Sequence, residues 1–130
     1  MSRSAVPRHP GRVALFALAV LCLVATAVPA HWTSPEQIVA GMAQDAQLRD
    51  KVGVVTVYSD PRLPRLLVVK VRRAQWDTVS ADNRIKLAED WLAVWRHNVP
   101  EGIVAVLDVA NDHTVINYDG AGHAMLEDTH

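Results

Sequence analysis

The chain has 130 residues, of which 13 are basic, 14 are acidic and half are hydrophobic. This length allows one domain, and the apolar fraction is too high for an intrinsically disordered protein. The near-neutral charge argues against a protein that coats nucleic acid. With one cysteine in the sequence, an internal disulfide and a cysteine-based zinc site are both excluded.

Residues 1–30 have the layout of a secretory signal. Three arginines with no acidic neighbour precede an uncharged stretch over residues 13–30, which ends in small residues suited to cleavage between Ala30 and His31. The length of the apolar run also fits an uncleaved membrane anchor, so this alternative stays open. Both interpretations place residues 31–130 outside the cytoplasmic membrane, because the arginines hold the N-terminus inside. The expected location is periplasmic or secreted, or membrane-anchored facing outward.

The pattern divides the chain into four segments. Three of the 13 basic residues precede residue 31 and all 14 acidic residues follow it, so the exported part carries a formal charge of −4. The predicted segments are a signal peptide or anchor at 1–30, an N-terminal amphipathic helix at 31–50, an α+β domain at 51–120 and a flexible tail at 121–130.

A helix followed by two strands is predicted at the start of the exported part. Ser34 suits a helix N-cap, Pro35 the first helical position, and Gln37 completes a capping box. The β-branched runs 52–58 and 65–73 then predict two strands, separated by a segment with two prolines.

Residues 80–99 give the strongest local pattern, that of a long amphipathic helix. Ser80 suits the N-cap, and Pro100 and Gly102 end the element. At about 100° per residue, the apolar side chains, including Trp91 and Trp95, fall on one half of the helix. We expect that half to pack on a sheet.

Two further strands are predicted at 103–109 and 114–118, joined as a hairpin through the polar turn between them. The expected fold is α+β: a small four-stranded mixed sheet in the order ββαββ, with one long amphipathic helix packed on it.

Two clusters suggest binding surfaces. The tryptophans Trp76, Trp91 and Trp95 could form a ligand platform, but the i,i+4 spacing of Trp91 and Trp95 in the apolar stripe favours the core. A run of basic residues could contact an anionic lipid headgroup or an acidic partner, or could keep an edge strand soluble. This predicted interaction surface consists of Arg62, Arg65, Lys70, Arg72 and Arg73.

Four residues near the last hairpin have side chains suited to metal binding or proton transfer: Asp108, His113, Asp119 and His123. Their spacing matches no metal motif, and turn formation explains them as well. After cleavage at Ala30, the amine and imidazole of His31 could chelate Cu(II), with His113 or His123 as a further ligand. This resembles the N-terminal histidine copper sites of some exported copper proteins. A small hydrolase using Asp108 and His113 is a third, weaker hypothesis.

No nucleophile motif and no cofactor loop is present in the sequence. The leading hypothesis is therefore an exported accessory domain without catalytic activity or cofactor, which docks on another exported or membrane-associated protein. We expect the docking surface on the sheet face that the long helix leaves uncovered, or on the basic edge Arg62–Arg73.

Overall fold

A computed structural model describes residues 34–127 as an α+β fold. Residues 34–127 contain a three-stranded mixed sheet, a separate two-stranded sheet and several helices. The elements in chain order are α1 (Pro35–Gln44), a π-helical turn (Leu48–Val52), β1 (Val54–Ser59), β2 (Leu66–Val71), α2 (Arg73–Trp76), α3 (Ala81–Asn98), β3 (Ile103–Asp108), β4 (Ile116–Tyr118) and β5 (Ala124–Leu126). The predicted signal or anchor at 1–30 lies outside the described residues.

The predicted N-terminal helix is present as α1 and begins at the expected cap. The Ser34 hydroxyl accepts a hydrogen bond from the backbone N–H of Gln37 at 3.2 Å, and Pro35 occupies the first turn. Ile38 and Met42 form the buried side of this helix. At its end the Asp45 carboxylate accepts two backbone N–H groups of the next turn, which starts the π-helical segment.

The first hairpin confirms the prediction of two antiparallel strands. β1 pairs with β2, and the register shifts between Val54 and Thr56, so that Val55 bulges outward on the edge strand. In the connecting loop the Asp60 carboxylate accepts hydrogen bonds from both the backbone and the guanidinium of Arg62.

The long helix is α3, and it confirms the strongest sequence prediction. Ser80 caps it by accepting the backbone N–H of Asn83 at 3.3 Å, and Val99 follows its last residue. The helix carries the chain from β2 to β3, which pair in parallel. This parallel crossover places β2 in the centre of the sheet order β1–β2–β3.

The prediction of a single four-stranded sheet is wrong, because β4 pairs with β5 in a sheet of its own. The segment before β4 contacts β3 at only a few residues. These contacts are the bridge between Leu107 and Thr114 and the hydrogen bond from Val115 N–H to the carbonyl of Val106. Val115 and Ile116 are both buried although they are consecutive, and neighbouring residues of a strand point to opposite faces. The chain therefore leaves the edge of β3 here and packs on α3.

Two hydrogen bonds attach the second sheet to α3. The Tyr118 hydroxyl donates to the carbonyl of Ala88 at 2.7 Å, and the backbone N–H of Ala124 donates to the Glu89 carboxylate at 3.0 Å. The strand β5 lies within segment 121–130, for which the sequence pattern predicts a flexible tail. Its three residues are too short to show a strand period.

The core lies between the helices and one face of the three-stranded sheet, which we call the covered face. Its strand residues are Val54, Val57, Leu67, Val69, Val71, Val104 and Val106, and they form one cluster with Ile38 and Met42 of α1 and with Ala88, Trp91, Leu92 and Trp95 of α3. Gly102 allows close packing there, because a Cβ at this position would lie 2.6 Å from Cδ1 of Trp95.

Candidate functional site

The three tryptophans belong to the core. Trp76, Trp91 and Trp95 each expose 4% or less of their surface, and the rings of Trp76 and Trp91 stack with centroids 6.1 Å apart. The indole Nε1 of Trp95 donates to the backbone carbonyl of Arg65 at 2.7 Å, which satisfies its one polar group. The core interpretation is confirmed, and these rings offer no exposed platform to a ligand.

Asp108 and His113 are joined through their backbones. The N–H of Asp108 donates to the carbonyl of His113 at 2.8 Å, whereas the buried Asp108 carboxylate accepts the backbone N–H of Ala110 at 2.9 Å. The backbone N–H of His113 donates to the Asn111 side chain, and His113 itself is exposed. These contacts are those of a turn, with the carboxylate directed at a backbone N–H instead of at the imidazole.

Asp119 and His123 close the turn between β4 and β5. Oδ1 of Asp119 accepts the backbone N–H groups of Ala121 and His123, and Oδ2 lies 3.2 Å from Nδ1 of His123. The hydrogen bond from the His123 N–H lowers the pKa of the Asp119 carboxyl. The carboxylate is therefore used to hold the turn.

The described part of the chain contains no cluster of side chains suited to metal binding. Among residues 34–127, no three His, Cys, Asp or Glu side chains are grouped so that they could hold a metal ion. His31 lies outside the described residues, so the copper hypothesis with His31 and either His113 or His123 stays a prediction.

The basic run is paired along most of its length. Four of its members form ion pairs: Arg62 with Asp60, Arg65 with Glu101 and Lys70 with Asp112, all at 2.9 Å, and Arg73 with Asp77 at 3.1 Å. The Arg72 guanidinium lies 3.5 Å from the Gln75 amide oxygen. The hydrogen bond to Asp112 raises the pKa of Lys70. Because carboxylates pair with four of the five charges, the positive field of this run is weaker than the sequence suggests. The expectation of a basic edge strand is wrong, because the run follows β2, the central strand of the sheet. A partner contact here stays a prediction.

The second face of the three-stranded sheet is the one that α1 and α3 leave uncovered. We call it the open face, and the strand register assigns to it Thr56 and Tyr58 of β1, Leu66, Val68 and Lys70 of β2, and Ile103, Ala105 and Leu107 of β3. Val68 is buried but does not belong to the helix-bearing core cluster. Its burial therefore comes from its neighbours on this face.

Of the six large apolar side chains that are exposed between residues 34 and 127, two lie on the open face and two lie next to its strands. Tyr58 (39% exposed) and Ile103 (51%) lie on it, Val109 (39%) directly follows β3, and Leu63 (56%) is in the loop between β1 and β2. Val55 and Met125 are the other exposed large apolar residues between 34 and 127. Exposed apolar residues that adjoin one another mark an interaction surface more often than scattered ones do.

Two ion pairs lie on or beside the open face. The Lys70 ammonium pairs with Asp112 and lies 5.8 Å from the centroid of the Tyr58 ring. At the opposite end of the strands, Arg65 pairs with Glu101. The open face is therefore largely apolar, with an ion pair near each end, and the exposed Arg72 directly after β2 contacts the Gln75 amide.

Comparison with known proteins leaves the function to be argued from this geometry. No protein-family model, curated protein or solved structure matches the chain. None of the helices within residues 34–127 is long and apolar enough to cross a membrane.

Proposed function

We propose that the chain is an exported accessory protein without catalytic activity, which binds another exported or membrane-associated protein through the open face. The observation that carries this proposal is the set of exposed apolar side chains on and beside that face, which includes Tyr58 and Ile103. Burying apolar surface against a partner lowers the free energy of binding by about 25 cal/mol per Å².

The polar residues support a binding role over a catalytic one. The Asp108 carboxylate and Oδ1 of Asp119 accept hydrogen bonds from backbone N–H groups of their own turns, whereas Oδ2 of Asp119 lies 3.2 Å from Nδ1 of His123. A general base needs a positioned acid or nucleophile beside it, and the carboxylate of Asp108 has its hydrogen bond to a backbone N–H and not to His113. Export is supported by the basic and apolar pattern of residues 1–30.

A charge placed on the open face tests the proposal. Ile103→Asp would put an unpaired carboxylate into an apolar interface, so partner affinity should fall at least about tenfold. Met125→Asp is the matched control, because Met125 on β5 is 52% exposed against 51% for Ile103. Both variants should melt near the wild-type temperature, since both positions face solvent.

The measurement is recovery of a stoichiometric partner with the full chain from solubilised membranes of the producing cell. Wild type and Met125→Asp should retain the partner, and Ile103→Asp should lose it. Equal recovery with both variants would place the interface elsewhere, and the absence of any stoichiometric partner with wild type would refute the docking function.

A further inference from the structure

We propose that Met125 on β5 is a site of reversible oxidation, where a hydroperoxide converts the thioether into a sulfoxide and the fold is retained. The oxidation is independent of the docking function. Three observations lead to it: the small number of sulfur-containing side chains, their different exposure, and the direction of the Met125 side chain.

Residues 34–127 contain few sulfur-containing side chains. Peroxides oxidise the sulfur atoms of cysteine and methionine. The one cysteine of the sequence, Cys22, lies outside the described residues, whereas the two methionines Met42 and Met125 lie within them. Selective oxidation of this part of the chain therefore depends on which of the two methionine sulfurs a peroxide can reach.

Exposure separates the two methionines. Met42 is 3% exposed and packs in the core cluster beneath α1, whereas Met125 is 52% exposed. Because the peroxide must approach the sulfur atom directly, susceptibility to oxidation follows exposure. A peroxide reaches Met42 only when the core opens, and it reaches Met125 in the folded protein.

The direction of the Met125 side chain allows the fold to survive its oxidation. Met125 pairs with Asn117 across the second sheet, and both are exposed. Their strand neighbours Ile116 and Ala124 are buried, and the Tyr118 hydroxyl is bonded to α3. Since neighbouring residues of a strand point to opposite faces, Met125 faces away from α3. A sulfoxide oxygen there meets water and creates no buried polar group.

The reaction transfers one oxygen atom from the peroxide to the sulfur. The sulfur lone pair attacks a peroxide oxygen, and the S–O bond forms as the O–O bond breaks and hydroxide leaves. The hydroxide takes the proton of the new S–OH group, so that hydrogen peroxide yields the sulfoxide and water. The sulfur loses two electrons and the peroxide gains them. An apolar side chain on the outer face of the second sheet thereby becomes polar, while the core is unchanged.

Oxidation rates in the folded and unfolded chain test the selectivity. The full chain is treated with hydrogen peroxide at neutral pH, and peptide mass spectrometry follows the gain of one oxygen atom at each methionine. In the folded chain Met125 should react at least about tenfold faster than Met42, because of their exposures. In urea above the unfolding midpoint the two rates should agree within about twofold. A ratio in the folded chain no larger than the ratio in urea would overturn the proposal.

Melting and enzymatic repair test the other two parts of the proposal. Wild type with Met125 converted should melt within about 3 °C of untreated protein. Met125→Leu, which lacks the site and keeps the apolar volume, is treated in parallel and should not change. A larger loss in wild type alone would show that oxidation disrupts the fold and would overturn the proposal.

Reductases for the two sulfoxide epimers, supplied with dithiothreitol, should restore the original mass of Met125, as the dithiol is oxidised to a disulfide and the oxygen leaves as water. A sulfoxide that resists both reductases in the folded protein would contradict reversibility.

Discussion

The two faces of the three-stranded sheet are built from the same strands and differ in what covers them. On the covered face Leu67, Val69 and Val71 are fully buried beneath the helices, whereas on the open face Tyr58 and Ile103 remain accessible. Residues of the covered face therefore contribute to the free energy of folding. The exposed residues of the open face, such as Ile103, are expected to contribute to binding and little to stability, and substitutions on the two faces should separate these effects.

The largest loss of stability is expected from Trp95→Ala on the covered side. Trp95 is fully buried and its Nε1 donates to the Arg65 carbonyl, so truncation should lower the free energy of unfolding by about 3–5 kcal/mol. Trp95→Phe keeps much of the apolar volume and should cost less. Urea unfolding measures both; a loss below about 1 kcal/mol for Trp95→Ala would contradict the assignment of this side chain to the core.

A pair of substitutions on the same sheet compares the faces directly. Val69→Ala should cost about 2–3 kcal/mol, because it removes two methyl groups from a filled core. Ile103→Ala, on the open face, should change stability by less than about 1 kcal/mol. Equal losses of unfolding free energy for the two variants in urea would contradict the predicted difference between the two faces.

A substitution at the closely packed start of β3 should lower stability by an intermediate amount. Gly102→Ala would bring a Cβ within 2.6 Å of Trp95 Cδ1 and 3.0 Å of the Val99 carbonyl, so we expect a loss of about 1–3 kcal/mol. At Gly120 a Cβ would meet nothing within 4 Å, so Gly120→Ala serves as the control and should stay within about 0.5 kcal/mol of wild type. Similar melting temperatures for the two variants would show that this packing relaxes easily.

The smallest expected effect concerns the attachment of the second sheet. Tyr118→Phe removes the hydrogen bond to the Ala88 carbonyl and should cost about 1 kcal/mol at neutral pH. Burial raises the pKa of the Tyr118 hydroxyl above its ordinary value. The unfolded chain therefore ionises first as the pH rises, from about pH 10, and the contribution of Tyr118 is lost above that pH.

Urea unfolding at pH 8 and pH 11 checks the sign of this dependence. The advantage of wild type over Tyr118→Phe should shrink at pH 11, because phenylalanine does not ionise. An advantage that grows with pH would contradict the buried, neutral hydroxyl.

Local patterns explain why much of the fold could be predicted from the sequence. The long helix α3 was predictable because its cap at Ser80, its apolar period and the stop at Pro100 are all local in sequence. The hairpin of β1 and β2 was predictable for the same kind of reason, since two β-branched runs flank a proline-containing loop.

The remaining parts depend on contacts between residues distant in sequence. β4 was placed in the main sheet because the pattern does not show the Tyr118–Ala88 hydrogen bond, which spans 30 residues. Similarly, Arg65 finds its partner Glu101 at a distance of 36 residues, so the basic run looked more highly charged in the sequence than it is in the structure. The open face itself was expected, but identifying Tyr58 and Ile103 as its exposed apolar residues required the strand register.

Methyl NMR of the full chain tests the central claim most directly, because Ile103 and Met125 supply one reporter on the open face and one of equal exposure elsewhere. Spectra are compared before and after addition of the purified, detergent-solubilised partner. The Ile103 methyl signal should shift or broaden while the Met125 methyl signal stays in place. A perturbed Met125 signal with an unchanged Ile103 signal would contradict docking through the open face.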